Sequence, residues 1–374
     1  MSNFDASDFE KIRQLLIQGD ENTSLGVQLL KSAPKAFVLE MEDYFRPLLD
    51  LFNRKSIQSL PKIFSNIQEG KCSAQKKIDL WATPWGEHHV KELDFDYDSI
   101  KEIPASIGNL KNLERLRIYN CDIESIPESI GQLKQLKVIN LFACSELKKL
   151  PESIGNLEAL ECLNVASTGI TELPKSSIQL KNLKELRISN CNFDELPPFI
   201  HTFKNLSVLS IGGLGLQTLP NYLKDFTALE YLNLSENKLK SLPAYMTTFS
   251  CLKKLFLDKN PLDELPLDIG SLKNLELLDC NNCRFIDLPE SIGALHNLVS
   301  LNLYHNYLRT LPASIGLLKS LKKLNLHSNK LKTLPVDMHQ LSNLTELTIS
   351  KNDRLTKALK DSLQEQLPNT NIEL

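Results

Sequence analysis

The stretch LEYLNLSENKLKSLPAYMTTF, residues 229–249, decides the fold of this chain. Leu232 and Leu234 alternate with polar residues, which is the period of two expected for a short strand with one buried face. Pro243 has no N–H group to donate and therefore ends the extended segment. Because the same pattern recurs along the chain, one short strand in each repeat predicts a parallel sheet.

Eleven prolines mark the repeat, and nine of the ten gaps between them are 23 residues long. The remaining gap is 24 residues, and we interpret the extra residue as a bulge between Cys144 and Leu147. A unit of this length cannot bury its apolar face alone and must stack on its neighbours. The sequence therefore predicts an α/β solenoid whose units consist of a strand, a turn and a helical or 3₁₀ return segment. The prolines are Pro104, Pro127, Pro151, Pro174, Pro197, Pro220, Pro243, Pro266, Pro289, Pro312 and Pro335.

One position in the turn after each strand is usually Asn or Cys. A side-chain amide there can bond to the N–H and C=O groups of adjacent turns, which predicts a buried hydrogen-bonded ladder. Leu214 occupies the same position but cannot form hydrogen bonds through its side chain, and glycines flank it. We therefore expect a local defect in the turn after the sixth strand. The ladder residues are Cys121, Cys144, Cys191, Asn237, Asn260, Cys283, Asn306, Asn329 and Asn352.

The unit LPxxIGxLxxLxxLxL, with Asn or Cys in the turn, resembles the 23-residue type of the leucine-rich repeat family. The resemblance covers about residues 90–352 and implies a horseshoe with a parallel concave sheet. Similar arrays occur in bacterial leucine-rich repeat proteins and in plant intracellular Ras-group-related leucine-rich repeat proteins. Such arrays are general recognition scaffolds, so the resemblance is specific for the fold and not for the task.

The sequence predicts three segments. Residues 1–85 form a helical N-terminal segment, residues 86–352 hold about twelve repeats, and residues 353–374 form a C-terminal cap with an amphipathic helix and a short strand. Around Pro61 the sequence imitates half a repeat, and we favour a connecting helix there over a degenerate repeat. Whether the N-terminal segment only caps the first repeat or is a functional domain stays open.

The charge and apolar composition of the chain argue against some classes of binding partner. The chain has 43 basic and 46 acidic residues, a net charge of −3 and no long run of either sign, so we expect no nucleic-acid partner. The sequence shows no signal-peptide pattern and no apolar stretch of bilayer-spanning length. We therefore expect a cytoplasmic chain that does not bind membranes and that is a monomer.

Candidates for catalysis are sparse, and we predict no catalytic residue, no metal site and no cofactor. His88 and His89 are adjacent and have no ligands at zinc-site spacing nearby. Cys280 and Cys283 form a C-x-x-C pair, but the repeat places one in the core and the other in the ladder. We interpret the cysteines as reduced, structural thiols. The remaining enzyme hypothesis is a site within residues 1–85.

The predicted binding surface is the concave face of the sheet. In the pattern L-x-x-L-x-L the leucines face the core, so the third and fifth positions and the two residues after the last leucine face the opposite side. Exposed apolar and aromatic residues flanked by polar ones are typical of protein-binding surfaces, although scattered apolar residues are common on any surface. We favour a binding surface made of Tyr119, Val138, Phe142, Val208, Tyr231, Phe256, Leu277, Tyr304 and His305, strongest between Tyr231 and Tyr304.

Together, these patterns predict a non-enzymatic scaffold that binds a protein partner on its concave sheet. The alternative is an effector or accessory protein whose N-terminal helical segment acts on a target while the repeats select that target. The two hypotheses differ in which segment carries the function, and the repeat pattern alone does not choose between them.

Overall fold

The structure is a computed structural model that describes residues 11–12, 38, 90–96, 100–352 and 355–373. Apart from residues 11, 12 and 38, the predicted helices of the N-terminal segment lie outside the described residues, as do the half-repeat at Pro61 and the His88–His89 pair. The boundaries predicted for the three segments therefore stay predictions. Within the described part of the chain, no helix has the length and apolar composition needed to cross a bilayer.

The chain forms two compact units. The first contains the residues up to Leu160 together with Pro174–Gln179, and the second contains Glu161–Leu173 and Leu180–Leu374. Strands β1 to β3 belong to the first unit, and strands β4 to β13 belong to the second. Each unit has its own run of the same strand, turn and return segment.

Short parallel strands recur once in each repeat in both units. Within each unit, neighbouring strands pair in sequence order, and each residue pairs with its equivalent one repeat later, as Leu232 does with Leu255. The twelve predicted strands and the predicted terminal strand are thus confirmed among the described residues. The strands are β1 (Glu92–Asp96), β2 (Arg115–Tyr119), β3 (Val138–Asn140), β4 (Cys162–Asn164), β5 (Glu185–Arg187), β6 (Val208–Ser210), β7 (Tyr231–Asn233), β8 (Lys254–Phe256), β9 (Leu277–Asp279), β10 (Ser300–Asn302), β11 (Lys323–Asn325), β12 (Glu346–Thr348) and β13 (Asn371–Glu373).

The return segments are short 3₁₀ helices, as predicted. Most begin directly after a repeat proline, whose extended conformation ends the preceding segment, as at Pro243 with φ −69° and ψ 152°. The 3₁₀ helices are η1 (Ala105–Asn109), η2 (Glu128–Gln132), η3 (Glu152–Asn156), η4 (Lys175–Gln179), η5 (Pro198–Thr202), η6 (Asn221–Asp225), η7 (Ala244–Thr248), η8 (Ile269–Ser271), η9 (Glu290–Ala294), η10 (Ala313–Leu317) and η11 (Val336–Gln340).

The last described elements are an α-helix, α1 (Lys357–Gln366), and strand β13. Leu355, Leu363 and Leu367 are buried, and β13 pairs in parallel with β12. The predicted amphipathic helix and terminal strand are therefore confirmed as elements. That they act as a cap for the last repeat stays a prediction.

The Asn ladder is confirmed by its hydrogen bonds. Asn260 is 1% exposed, and its Nδ2 atom donates to the carbonyl oxygens of Leu234 and Leu257, each at 2.9 Å. Its Oδ1 atom accepts the N–H of Leu239 at 3.1 Å. One side chain thereby satisfies polar backbone groups in its own repeat and in the repeat before it, so the buried turns keep their hydrogen bonds without water. Equivalent bonds are formed by Asn237, Asn306, Asn329 and Asn352.

The turn after β6 departs from the others, as expected for Leu214. Gly213 has positive φ, at 66°, as the equivalent residue does in the other described turns, for example Glu236 at 57°. The positive φ of Gly215, at 71°, has no counterpart in those turns, and glycine adopts it without steric cost. The Oδ1 atom of Asn237 accepts the N–H groups of both Leu214, at 3.1 Å, and Leu216, at 3.0 Å. The next Asn of the ladder therefore stabilises the turn in which the side chain of Leu214 forms no hydrogen bond.

The extra residue of the 24-residue repeat lies in the turn, as predicted. Ser145 and Glu146 are both exposed there, and the N–H of Leu147 donates to the carbonyl oxygen of Cys144 at 3.1 Å. Leu147 itself is fully buried. The bulge is confined to the exposed part of the turn, because the apolar residue after it has returned to the core.

The packing between return segments depends on the residue four positions after the repeat proline. Where this residue is glycine, as at Gly293, a Cβ atom would lie 2.4 Å from the carbonyl oxygen of Ser314 in the next repeat. Segments η5 to η8 pack less closely on one another. Phe226 and Phe249 are fully buried beneath two of them, where most repeats have leucine, and the Tyr245 hydroxyl donates to the Pro220 carbonyl at 2.7 Å.

Candidate functional site

The open face of the sheet is formed by the first and third residues of each three-residue strand. In β7, Leu232 is buried, whereas Tyr231 and Asn233 on either side of it are partly exposed. The same alternation holds along the other strands, because successive side chains in a strand point to opposite faces, except that Asn164 in β4 and Ser210 in β6 are buried. The columns predicted for the concave face therefore do lie on one face within each unit.

In the first unit, the predicted site residues are Tyr119, Val138 and Phe142. The Tyr119 hydroxyl accepts a hydrogen bond from Nδ2 of Asn140 at 3.2 Å, and Oδ1 of the same Asn accepts the N–H of Phe142 at 3.2 Å. Val138 is partly exposed in β3, and Phe142 is 45% exposed. Asn140 thus fixes the backbone that carries an exposed aromatic ring.

In the second unit, Tyr231 and Phe256 form an aromatic pair. Their ring centroids are 5.2 Å apart and the rings are inclined by 41°. They are diagonal neighbours, since Tyr231 lies opposite Lys254 and Asn233 lies opposite Phe256. Both rings are partly exposed, so they offer apolar contact area on the open face.

Arg187 in β5 contacts this aromatic pair across the intervening strand β6. Its guanidinium carbon lies 5.0 Å from the centroid of the Tyr231 ring, and its Nε atom is paired with Glu185. Val208 and Ser210 in the intervening strand are small, which allows the long arginine side chain to lie over them. A cation above an aromatic face is attracted by the ring quadrupole. We call Arg187, Tyr231 and Phe256 the aromatic cluster.

A second group of rings lies further along the same unit. The ring centroid of Tyr304 is 5.7 Å from that of His305 and 5.3 Å from that of His327. The N–H of Tyr304 donates to Oδ1 of Asn302 at 3.2 Å, which fixes the backbone at the end of the strand. These rings therefore stand directly after strands β10 and β11.

Leu277 borders a pocket of about 250 Å³ on the open face. Ser300 is small and leaves space there, and Nζ of Lys323 is ion-paired with Glu346 at 2.7 Å. Within the pocket, Oδ2 of Asp279 accepts a hydrogen bond from Nδ2 of Asn302 at 3.1 Å. Its lining on this face consists of Leu277, Asp279, Ser300, Asn302, Lys323, Asn325, Glu346 and Thr348.

Asp258, two residues after Phe256, has a carboxyl group with a raised pKa. Burial raises its pKa, a hydrogen bond from the hydroxyl of Ser235 opposes that effect, and the negative charge of Asp279 adds to it. Asp258 therefore keeps its proton to a higher pH than a fully solvated aspartate does.

The structure brings together six of the nine predicted site residues in the second unit, and the other three lie in the first. Sequence reasoning did not assign Arg187 and His327 to the site. The repeat pattern could have identified His327, because this residue is the equivalent of Tyr304 one repeat later. Arg187 lies in the fifth position of its repeat, within reach of the aromatic pair only because its neighbours are small.

The described cysteines are free, and the buried ones serve the ladder or the core. The Sγ atom of Cys191 donates to the carbonyl of Val165 at 3.0 Å, and that of Cys283 donates to the carbonyl of Leu257 at 3.5 Å. Burial raises the pKa of Cys144 to about 11 and that of Cys283 to about 12. Cys280 lies in the core and Cys283 in the ladder, where the repeat placed them. No group of three potential metal ligands occurs among the described residues.

Alkylation should distinguish these thiols from Cys251, which is exposed. At pH 8 a thiol with a pKa of about 12 is ionised to about one part in ten thousand, so we expect no labelling of Cys283 by iodoacetamide while the chain is folded. Cys251 should be labelled within minutes, and both should react in guanidinium chloride. Peptide mass spectrometry would measure the labelling, and equal rates for Cys251 and Cys283 in the folded chain would contradict the structural role.

Comparisons with known proteins agree on one kind of repeat. A family profile described as leucine-rich repeat region matches residues 139–214 and 223–372, and one described as leucine rich repeat matches residues 112–133. The leucine-rich repeat protein LIC12759 of Leptospira interrogans is 28% identical, with 81% of this chain and 93% of that chain covered and a TM-score of 0.56. A search of functionally curated proteins finds no match.

Two receptors are also similar. The plant peptide hormone receptor RGFR1, in a structure with RGF2, is 25% identical, with 71% of this chain and 52% of the receptor covered and a TM-score of 0.52. A TDR receptor is 27% identical, with 71% of this chain and 50% of the receptor covered and a TM-score of 0.60. This chain therefore spans about half the length of each receptor structure.

Proposed function

The chain belongs to the leucine-rich repeat family, and from that membership we propose that it is a non-enzymatic scaffold whose open sheet face binds a segment of a protein partner. Repeat proteins of this kind use extended, regularly tiled surfaces for binding. The proposal assigns recognition to the second unit, where the aromatic cluster spans β5 to β8, the pocket spans β9 to β12 and the Tyr304 rings follow β10 and β11.

The aromatic cluster is the observation that carries this proposal. Tyr, Trp and Arg dominate the residues that contribute most to binding at protein interfaces, because they combine a large apolar area with a polar or charged group. Tyr231 and Phe256 stand where polar residues would be better solvated, and Arg187 is positioned against the Tyr231 ring by Glu185. The cluster is therefore preorganised, which lowers the entropy cost of ordering it when a partner binds.

The kind of partner follows from the surface. The open face is lined by narrow columns of side chains about 5 Å apart, which suits an extended polypeptide segment. RGFR1, a similar structure described as a peptide hormone receptor, was solved in complex with RGF2, and we carry a peptide-like ligand over to this chain as part of the proposal. The free thiols of the described cysteines favour a reducing compartment, so the proposal includes a cytoplasmic location. It also takes the chain to be a monomer.

Partner capture with matched variants tests the proposal. We expect the double change Tyr231→Ala and Phe256→Ala to weaken partner binding by about 30-fold or more, since it removes the central anchors of the cluster. Leu267→Ala is the control, because Leu267 is 81% exposed just before η8 and lies outside the strands. Immobilised variants would capture partners from a native extract, and titration calorimetry with the captured protein would give the affinities. Equal capture by both variants would overturn the proposal.

A further inference from the structure

Between Arg284 and Lys332 the chain carries seven lysines and arginines but only two carboxylates, Asp287 and Glu290. The whole chain, in contrast, has a net charge of −3. The excess of positive charge is thus local to the repeats of β9 to β11. A local excess of one sign creates a potential that attracts the opposite charge.

Four of these cations stand together at one edge of the second unit, in the turns that follow the strands. Arg284 and Lys330 are the first residues after the ladder position in their repeats, and Arg309 and Lys332 are the third. All four are exposed. With Ile286 and Tyr307, which occupy the same positions in the same repeats, we call them the basic edge.

Backbone hydrogen bonds hold the basic edge in register. The N–H of Tyr307 donates to the carbonyl oxygen of Phe285 at 2.9 Å, and the N–H of Arg309 donates to the carbonyl oxygen of Ile286 at 3.0 Å. The N–H of Lys332 in turn donates to Arg309 at 3.2 Å. Residues two apart in an extended segment point to the same side, so the six side chains form two adjacent columns with about 5 Å between repeats.

Within the described part of the chain, no carboxylate pairs with the cations of the basic edge. None of its four cations forms an ion pair with a described carboxylate, whereas Lys253, Lys259 and Lys323 elsewhere in the unit are each paired with a glutamate. Lys330 instead lies over the ring of Tyr307, with Nζ 4.4 Å from the centroid. In the first unit, the equivalent positions after β2 hold Asp122 and Glu124. The repeat fold therefore does not require positive charge at these positions.

Apolar surface accompanies the charge. Ile286 is 48% exposed and Tyr307 is 44% exposed, and both stand between the cations. A phosphate backbone offers no complement to Ile286, and two half-exposed apolar side chains give little area for insertion into a lipid layer. A polypeptide with carboxylates and apolar side chains matches both features. From this combination we propose that the basic edge binds an acidic, partly apolar polypeptide segment of a partner protein. The site is separate from the aromatic cluster and does not depend on it.

Charge reversal in the 374-residue chain tests this site. The probe is a fluorescein-labelled dodecapeptide of glutamate and leucine, measured by fluorescence anisotropy against a lysine and leucine counterpart. We expect saturable binding of the acidic peptide only, weakened about tenfold between 50 and 300 mM NaCl because exposed charges are screened. The double change Arg309→Glu and Lys332→Glu should weaken binding at least tenfold.

Lys238→Glu with Lys240→Glu is the matched control, because both residues are exposed at the same two positions of an earlier repeat. This pair should change the affinity less than twofold, and Tyr231→Ala should leave it unchanged. Ile286→Ala should weaken peptide binding about threefold. Equal losses from the two charge reversals, or absent binding of the acidic peptide, would overturn the proposal. Tighter, equally variant-sensitive binding of duplex DNA or of phosphatidylserine vesicles would overturn the polypeptide partner.

Discussion

Replacing Asn260 by leucine is expected to lower the free energy of unfolding by about 3–4 kcal/mol, the largest effect we expect from a single change. Leucine has nearly the same size but cannot replace the hydrogen bonds that the Asn260 amide forms with backbone groups of Leu234, Leu257 and Leu239. These backbone groups are buried among stacked turns, where water cannot compensate for the lost bonds. Urea unfolding followed by circular dichroism would measure the loss.

Asn260→Cys is the matched variant, because the chain itself uses cysteine at this position in other repeats. The thiol can donate one weak bond, as Sγ of Cys283 does to the carbonyl of Leu257 at 3.5 Å. We expect a loss of about half that of the leucine variant. A leucine variant within about 1 kcal/mol of the parent, or equal losses for the two variants, would show that the ladder is not held by hydrogen bonds.

Replacing Gly293 by valine is expected to destabilise the chain by about 3 kcal/mol. A Cβ atom at this position would lie 2.4 Å from the carbonyl oxygen and 2.6 Å from Cβ of Ser314. The first of these atoms belongs to the backbone of the next repeat, so it cannot move without displacing the return segment η10. Gly293 does not have positive φ, and therefore the effect is steric contact between repeats and not backbone strain.

Thr247→Val provides the comparison for Gly293. Thr247 is also four residues after a repeat proline, but it lies in η7, where the return segments pack less closely and a β-branched side chain is already accommodated. We expect a change of less than about 1 kcal/mol, mostly from the lost hydrogen bond between its hydroxyl and the carbonyl of Ala244. Thermal unfolding of both variants would measure the difference. Similar losses at both positions would contradict the importance of the glycine contact.

The turn after β6 shows how much of a local structure the sequence can predict. Leu214 breaks the Asn and Cys pattern, and that break correctly predicted a departure in its turn. How the departure is accommodated was not predictable, because it depends on Oδ1 of Asn237 accepting two N–H groups from the neighbouring repeat. A hydrogen bond between repeats is a property of stacking, which the sequence of one repeat does not specify.

In the candidate site, too, the sequence predicted some features and only the structure showed others. The period of two assigned Tyr231 and Phe256 to the open face, and the structure places them there. The position of Arg187 over the Tyr231 ring follows from the small residues of β6, and such a contact spans three repeats. Single-repeat patterns say which face a side chain takes, but they do not say which side chains meet on it.

The sequence by itself determined the class of fold, the strands, the 3₁₀ segments and the core, because each is set within one 23-residue unit by alternation, proline and leucine spacing. Only the tertiary structure decided which side chains form the aromatic cluster and which cations form the basic edge. These features arise between units of the repeat, from register, side-chain reach and unpaired charge. Such interactions exist only once the repeats have stacked.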